Sequence, residues 1–121
     1  MRWQPIRLIY NLARRGIEYD LMPLCRELRL PIMAYSPIEQ GRLLGQRELR
    51  DIAARHAATP AQIALAWLIR REDVIAIPKA SSIAHTKENH AALDVRLTEQ
   101  DLVELDHAFP PPAGPQPLDM L

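Results

Sequence analysis

Cysteine is almost absent from this 121-residue chain, which contains only Cys25. A single thiol cannot form an intrachain disulfide and cannot build a multi-cysteine zinc site. The four histidines do not have the His-x-x-x-His spacing that is typical of helical metal sites. We therefore expect no metal centre, and we interpret Cys25 as a small residue of the apolar core.

An excess of charge is also missing, because 15 Lys and Arg residues balance 15 Asp and Glu residues. A nucleic-acid-binding protein needs a basic excess to displace counterions, so this class of partner is not expected. No apolar run reaches the roughly 18 residues of a membrane-spanning helix, and the first residues do not resemble a secretory signal. The sequence predicts a globular protein that binds neither nucleic acid nor membrane, with the cytoplasm as its expected location.

Glycine is scarce and proline is abundant, with 4 and 11 residues respectively. Prolines are concentrated in residues 110–121, where they exclude a helix and favour an extended chain on the surface. We therefore divide the chain into a globular part, residues 1–109, and a proline-rich tail, residues 110–121.

Short apolar runs predict three buried strands, which alternate with stretches of helical patterning. The strands are expected at Ile6–Tyr10, Pro31–Tyr35 and Val74–Pro78. The helices are expected to start at Asp20, Gln46, Thr59, Ser82 and Thr98. The resulting order, β-α-β-α-α-β-α-α, indicates the α/β class with parallel strands.

Two of these elements carry finer expectations about burial. The first helix is expected to bury a single apolar stripe, which comprises Leu21, Leu24, Cys25 and Leu28. The third strand lacks polar alternation, which predicts that both of its faces are covered.

A sheet of only three parallel strands leaves its two outer strands with unpaired edges, which folded proteins normally avoid. We expect Pro31–Tyr35 in the centre, between Ile6–Tyr10 and Val74–Pro78. The apolar inner face would lack an opposite wall, and the residues that would face it are expected among Ile6, Leu8, Met33, Ile75 and Ile77. Such a surface predicts self-association, binding of a complementary fragment, or aggregation.

Residues with binding chemistry follow the strands at their carboxyl ends, where ligand-binding loops of parallel sheets lie. Lys79 follows the third strand directly, and Ser81 and Ser82 precede a helix start. An ammonium, hydroxyls and helical N–H groups together fit a phosphate, although a solvated Lys and an ordinary Ser cap explain the pattern as well. Tyr35 could stack on a flat ring or simply close the sheet edge.

Four strings carry a family resemblance: YNLARRGIEYDLMPLCRE, PIMAYSPIEQGRLL, TPAQIALAWLIRR and VIAIPKASSIAHTKEN. They resemble the carboxy-terminal portion of the aldo-keto reductases, from about Leu8 to about Phe109. The resemblance implies a (β/α)8 TIM barrel that binds NADPH, with the three strands as the sixth, seventh and eighth. A whole barrel needs about 250 residues, so the expected fold is a partial one.

The resemblance also implies which residues contact the nicotinamide half of the cofactor. Tyr35 matches the tyrosine that stacks on the nicotinamide ring, and Ser36 begins the segment, through Leu43, that lies across the pyrophosphate. The family usually has Asn-Gln at the start of the sixth strand, where the Gln holds the nicotinamide carboxamide. This chain has Ile6 and Arg7 at those positions.

For the adenosine half, the resemblance implies that Lys79 pairs with the 2′-phosphate of the ribose. The other matched positions are Ser81 and Ser82, which contact that phosphate, and Glu88 and Asn89, which read adenine. His85 stands where the family often has Arg. Because an imidazole carries less positive charge than a guanidinium at neutral pH, the implied preference for NADPH over NADH is weaker here.

The family's catalytic tetrad of Asp, Tyr, Lys and His lies upstream of the matched segment, so we assign no catalytic residue. We expect a fragment of an NADPH-dependent oxidoreductase that reduces aldehydes or ketones, keeps much of the cofactor platform and is inactive alone. One alternative is the cofactor-binding half of a split enzyme, which another chain completes. Another is a non-catalytic structural or interaction protein that re-uses the fold.

Overall fold

The computed structural model describes residues 6–35, 45–77, 87 and 90–115. Three strands form one parallel sheet: β1 (Ile6–Ile9), β2 (Ile32–Tyr35) and β3 (Val74–Ile77). The strand order is β1-β2-β3, so β2 lies in the centre. This confirms the expected class, strand direction and strand order, with β1 and β2 each one residue shorter than expected.

Among the described residues, four helices accompany the sheet. They are α1 (Leu21–Glu27), α2 (Arg47–Arg55), α3 (Pro60–Ile69) and α4 (Glu99–Ala108). Short 3-10 turns occur at Gly16–Glu18 and Ala92–Asp94. The helix expected after Ser82 falls largely outside the described residues, although Lys87, His90 and Ala91 are helical.

The starts of the helices follow from their capping residues. The Thr59 hydroxyl accepts from the Gln62 backbone N–H, and the Gln62 side chain accepts from the Thr59 N–H, which is a complete capping box ahead of α3. Thr98 and Asp101 form the same reciprocal pair ahead of α4. The Asp20 side chain accepts from the Leu21 N–H at the start of α1.

The core lies between the sheet and the helices, and α3 contributes most to it. This helix is apolar on all sides and is buried over nearly its whole length, as its sequence predicts. Trp67 and Leu68 are fully buried and join a cluster with Ile32 of the central strand. The helix therefore spans the core instead of covering it as a surface element.

The predicted apolar stripe of α1 is wrong in part. Cys25 is buried, but Leu24 and Leu28 are each 48% exposed, and the second buried residue of the helix is Met22. Met22 and Cys25 are three positions apart and share a face, whereas Leu24 points away from it because two helical positions differ by about 200°.

The two faces of the sheet do not divide as predicted. Of the residues expected to include those of the inner face, Ile6 and Leu8 instead pack with the helix-side core. Register places Arg7 beside Met33, and Met33 beside Ile75, on the other face. We call these three residues the open face, because Arg7 and Ile75 are exposed and Met33 is half-buried, whereas Ile9, on the same side of β1, is only 2% exposed. The exposure of Ile75, 45%, also contradicts the prediction that β3 is covered on both sides.

Candidate cofactor-binding edge of the sheet

The carboxyl ends of the three strands lie at one edge of the sheet. The last pairs in the register are Ile9 with Tyr35 and Tyr35 with Ile77. The final residues of β1, β2 and β3 therefore lie side by side. We call this the carboxyl edge, and ligands of parallel α/β sheets bind outside such edges.

Most of the predicted cofactor residues follow this edge directly but lie outside the described residues. They are Ser36, Lys79, Ser81, Ser82, His85, Glu88 and Asn89. Tyr35 is described as the final residue of the central strand, which agrees with its predicted place, and its side chain is outside the described part. The cofactor roles of all these residues therefore stay predictions. The ends of β2 and β3, which precede Ser36 and Lys79 in the sequence, are neighbours in space.

The turn that follows β1 is built around a buried amide. The Asn11 side-chain Oδ1 accepts from the backbone N–H groups of Ala13, at 2.8 Å, and Arg14, at 3.0 Å. Backbone hydrogen bonds run both ways between Asn11 and Arg14. Such an Asx turn fixes the path of the chain immediately after the strand. The carboxyl edge therefore has a rigid boundary on its β1 side.

Beside this turn lies a buried ionic cluster centred on Arg15, whose side chain is only 6% exposed. Its Nε donates to Glu18 Oε2 at 2.7 Å and its Nη2 donates to Glu18 Oε1 at 2.9 Å. Its Nη1 donates to Asp106 Oδ1 at 2.8 Å and to the Phe109 carbonyl at 2.7 Å. The guanidinium also lies 5.0 Å from the ring centre of Trp67. Arg15 thus joins the segment after β1 to the end of α4.

Tyr10 completes the cluster, which we call the Arg15 anchor. Its hydroxyl donates to Glu18 Oε2 at 2.5 Å, and its ring lies 5.3 Å from that of Trp67. Burial, and then the hydrogen bond to the Glu18 carboxylate, raise the pKa of Tyr10 far above its ordinary value. Since Tyr10 is fully buried as well, it cannot act as a proton donor to a ligand.

The Glu18 carboxylate stays ionised in this buried setting. Burial alone would raise the pKa of Glu18, but hydrogen bonds from Arg15 and Tyr10 hold it below its ordinary value. Arg71 adds a weaker attraction at 4.0 Å. The Arg15 anchor is therefore a structural ion pair. It holds the chain in position and does not take part in a reaction.

A second buried carboxylate fastens the other end of α4. Asp101 is 3% exposed in its side chain and lies 2.6 Å from His56 Nε2 and 3.0 Å from Arg55 Nη2. Arg55 also pairs with Glu104. Burial would raise the pKa of Asp101, yet the hydrogen bonds from Thr98 and His56 hold it below its ordinary value. The two ends of α4 are thus fixed by different ion pairs.

Sequence reasoning missed both ionic clusters. It considered His56 only as a possible metal ligand. One signal was available, since Arg15 and Glu18 have an i, i+3 spacing directly after a strand. The partnership of Arg15 with Asp106 spans 91 positions and has no local signature.

A cavity of about 500 Å³ opens at the opposite edge of the sheet, beside Pro31 and Asp73, which precede β2 and β3. Cys25 lines it, but that thiol is buried, and burial raises its pKa, so it is not an activated nucleophile. Arg26 bridges to Asp73 at 2.7 Å. Within the described ranges, no cluster of three or more His, Cys, Asp or Glu residues could hold a metal ion. Among these same residues, no helix is long and apolar enough to span a membrane.

Comparison with known proteins supplies the family. Residues 1–109 match the model of the aldo/keto reductase family. The methylglyoxal reductase YeaE of Escherichia coli is 46% identical over 120 residues, which are 95% of this chain and 42% of that protein. A probable aldo-keto reductase of Glycine max is 32% identical and is matched over 87% of this chain and 39% of its own length.

Solved structures agree with the sequence relatives. An aldo/keto reductase from Klebsiella pneumoniae in complex with NADP and acetate superposes with a TM-score of 0.92 at 46% identity, over 95% of this chain and 42% of that one. The chain thus spans about two fifths of the length of the relatives it matches. Its three strands and four described helices are part of the TIM barrel of those neighbours. The chain belongs to the aldo/keto reductase family.

Proposed function

We propose that the chain provides the cofactor-binding portion of an NADPH-dependent carbonyl reductase. The observation that carries this proposal is the register that places the ends of β2 and β3 side by side. The predicted nicotinamide contact, Tyr35, and the predicted phosphate contact, Lys79, therefore belong to neighbouring strand ends. A family relative bound to NADP adds support.

The donor set of the predicted residues fits this cofactor. An ammonium from Lys79 and hydroxyls from Ser81 and Ser82 match a phosphate monoester, and an aromatic face from Tyr35 matches a nicotinamide ring. Glu88 and Asn89 carry the acceptor and amide groups that an adenine edge requires. When bound, the nicotinamide supplies hydride to an aldehyde or ketone.

The chain's own part in that reaction is binding and orientation. The Asx turn at Asn11 and the Arg15 anchor hold the β1 side of the carboxyl edge in a fixed position. The buried Tyr10 cannot protonate a substrate, and the family tetrad has no matching positions in this chain. We therefore propose that the chain alone does not turn over carbonyl substrates such as 4-nitrobenzaldehyde.

A second candidate is that the chain is one half of a barrel completed by another chain. The open edges of β1 and β3, each of which pairs only with β2 among the described residues, favour it. It differs from the first candidate in predicting that activity appears when the other portion is added.

The test of cofactor binding is a titration of the purified chain with NADPH and NADH. Lys79→Ala should weaken NADPH by about 10- to 100-fold, which corresponds to the roughly 1.5–3 kcal/mol of a charge-assisted contact. It should change NADH affinity far less. Lys87→Ala is a matched control, because Lys87 is exposed and its substitution removes the same charge. Equal weakening of both cofactors by Lys79→Ala would show that Lys79 does not meet the 2′-phosphate.

A further inference from the structure

A second cavity, of about 410 Å³, lies between the last turn of α3 and residues 92–97, which include the second 3-10 turn. Arg70 and Arg96 are part of its lining, and we call it the Arg70 cavity. Because α3 ends at Ile69 and β3 begins at Val74, this part of the molecule lies towards the amino edge of the sheet. The Arg70 cavity is therefore remote from the carboxyl edge and from the predicted cofactor residues.

The charge of the Arg70 cavity has one sign among the residues that the structure describes. The guanidiniums of Arg70 and Arg96 line it, and none of its described lining residues is acidic. Asp94, from the same segment as Arg96, instead lines a neighbouring cavity that Arg96 also borders. A ligand that complements the Arg70 cavity therefore carries a negative charge.

Both guanidiniums are held in place without a carboxylate. The Arg70 guanidinium lies 5.0 Å from the ring centre of Trp67, which is fully buried. Arg96 Nη1 donates to the carbonyl of Leu93 at 3.1 Å. In the described part of the chain, neither arginine forms an ion pair. Both therefore keep N–H groups for a ligand, and little further ordering of the side chains is needed.

Arg70 also lacks the charge compensation that other arginines have. Partial burial, and then the like charge of Arg71, lower the pKa of Arg70. Arg15 and Arg26, in contrast, each contact a carboxylate within 2.8 Å. An anion beside Arg70 would favour its charged form and would offset the repulsion from Arg71.

The rest of the described lining is mainly apolar. Ile69, Val95 and Leu97 are half-buried there, and Leu93 is 52% exposed. We call these four residues the apolar wall. An inorganic anion would leave the apolar wall in contact with water, whereas an organic acid can cover it with its hydrocarbon chain.

We infer that the Arg70 cavity binds a small organic acid, with the carboxylate at the two guanidiniums and the hydrocarbon chain against the apolar wall. The charge of Arg70 and Arg96 selects the carboxylate, and the apolar wall selects acids that carry a chain. This site adds a ligand of a different chemical class to the proposed function and does not depend on it.

The probe is hexanoate, which is titrated into the isotope-labelled whole chain while backbone amide chemical shifts are followed by NMR. The largest shifts should occur at Arg70 and in residues 92–97. Acetate has the same charge without the chain and should bind about tenfold more weakly or less. Hexylammonium has the chain with the opposite charge and should not shift these residues.

Substitution of either guanidinium should weaken hexanoate binding. Arg70→Met and Arg96→Met should each cost about tenfold or more in affinity, because charge-assisted hydrogen bonds are lost. Arg96→Met carries the test if Arg70→Met, which also loses its contact with Trp67, fails to fold by circular dichroism. Arg50→Met removes the same charge at an exposed residue of α2 and should change the affinity by less than about twofold.

Three results would overturn the inference: shifts that avoid Arg70 and residues 92–97, equal binding of hexanoate and hexylammonium, or equal losses in Arg96→Met and Arg50→Met. A further variant separates this site from the proposed function. Lys79→Ala should bind hexanoate as the unmodified chain does while losing NADPH affinity. If Lys79→Ala abolished hexanoate binding, the acid would occupy the predicted cofactor site, which would refute this inference and leave the proposed function intact.

Discussion

The two faces of the sheet differ in how completely the chain covers them. On the helix side, Leu8, Ile32, Ala34 and Val74 are buried within one cluster with α3. On the open face, Ile75 is 45% exposed and Arg7 is exposed. Both faces come from the same four-residue strands, so the difference lies in what packs against them.

Among the described residues, the helix side of the sheet is therefore the better covered of the two. The helix α3 is apolar all round, and the Arg15 anchor and the Asp101 pairs secure α4 at its two ends. Within the described residues, Arg7, Met33 and Ile75 take no part in the core cluster, so they should contribute less to stability than the residues of the covered side.

The largest expected loss of stability comes from the Arg15 anchor. Arg15→Met keeps an apolar stem over Trp67 but leaves the buried Glu18 carboxylate without its cation. Breaking a buried pair in this way costs about 3–5 kcal/mol of unfolding free energy. Urea denaturation followed by circular dichroism measures it.

The matched control for the anchor is Arg26→Met. Arg26 pairs with Asp73, but its side chain is 46% exposed, and exposed pairs contribute at most about 1 kcal/mol. If the two variants lost stability equally, the anchor would not hold the covered side together.

How far the sequence could predict this structure depends on how local each signal is. The capping boxes at Thr59 and Thr98 lie within four residues, so their helices were predictable. The Arg15–Asp106 pair joins residues 91 positions apart, and no local pattern indicates it. The cofactor roles of the predicted residues were inferred from family resemblance. The structure shows only the order of the strands whose ends precede them.

The sequence contained a signal that divides the residues of β1 between the two faces. Ile-Arg-Leu-Ile is a short apolar run with one charged residue. The single charge at Arg7 nevertheless separates the faces, because alternate residues point to opposite sides. Ile6 and Leu8 had therefore to share the helix side, as the structure has them.

A matched pair of substitutions tests the two faces directly. Ile32 is fully buried on the covered face of the central strand, and Ile75 lies half-exposed on the open face of β3. Ile32→Ala should cost about 2–5 kcal/mol, as for other core truncations. Ile75→Ala should cost less than about 1 kcal/mol, because little buried surface is lost. Thermal or urea unfolding measures both, and similar losses would mean that Ile75 is covered in solution.

The smallest expected effect is the acid dependence of the covered side. Burial would raise the pKa values of Glu18 and Asp101, but the hydrogen bonds that these carboxylates accept hold both values below their ordinary range. These hydrogen bonds are absent from the unfolded chain. Its Glu and Asp carboxyls therefore have pKa values near the ordinary ones, about 4.3 and about 3.9. The unfolded state therefore binds more protons than the folded state when the pH falls through that range.

The stabilisation from Glu18 is thus fully present above its unfolded pKa and is lost as the pH falls through the lower folded pKa. We expect the unfolding free energy to decline below about pH 4.5. Glu18→Gln should make that decline shallower, because one linked carboxyl is gone, even though the variant is less stable at neutral pH. Glu27→Gln, at an exposed position of α1, is the control and should leave the slope unchanged. Urea titrations at a series of acidic pH values measure the slope, and equal slopes for both variants would mean that the Arg15 anchor does not hold Glu18 ionised.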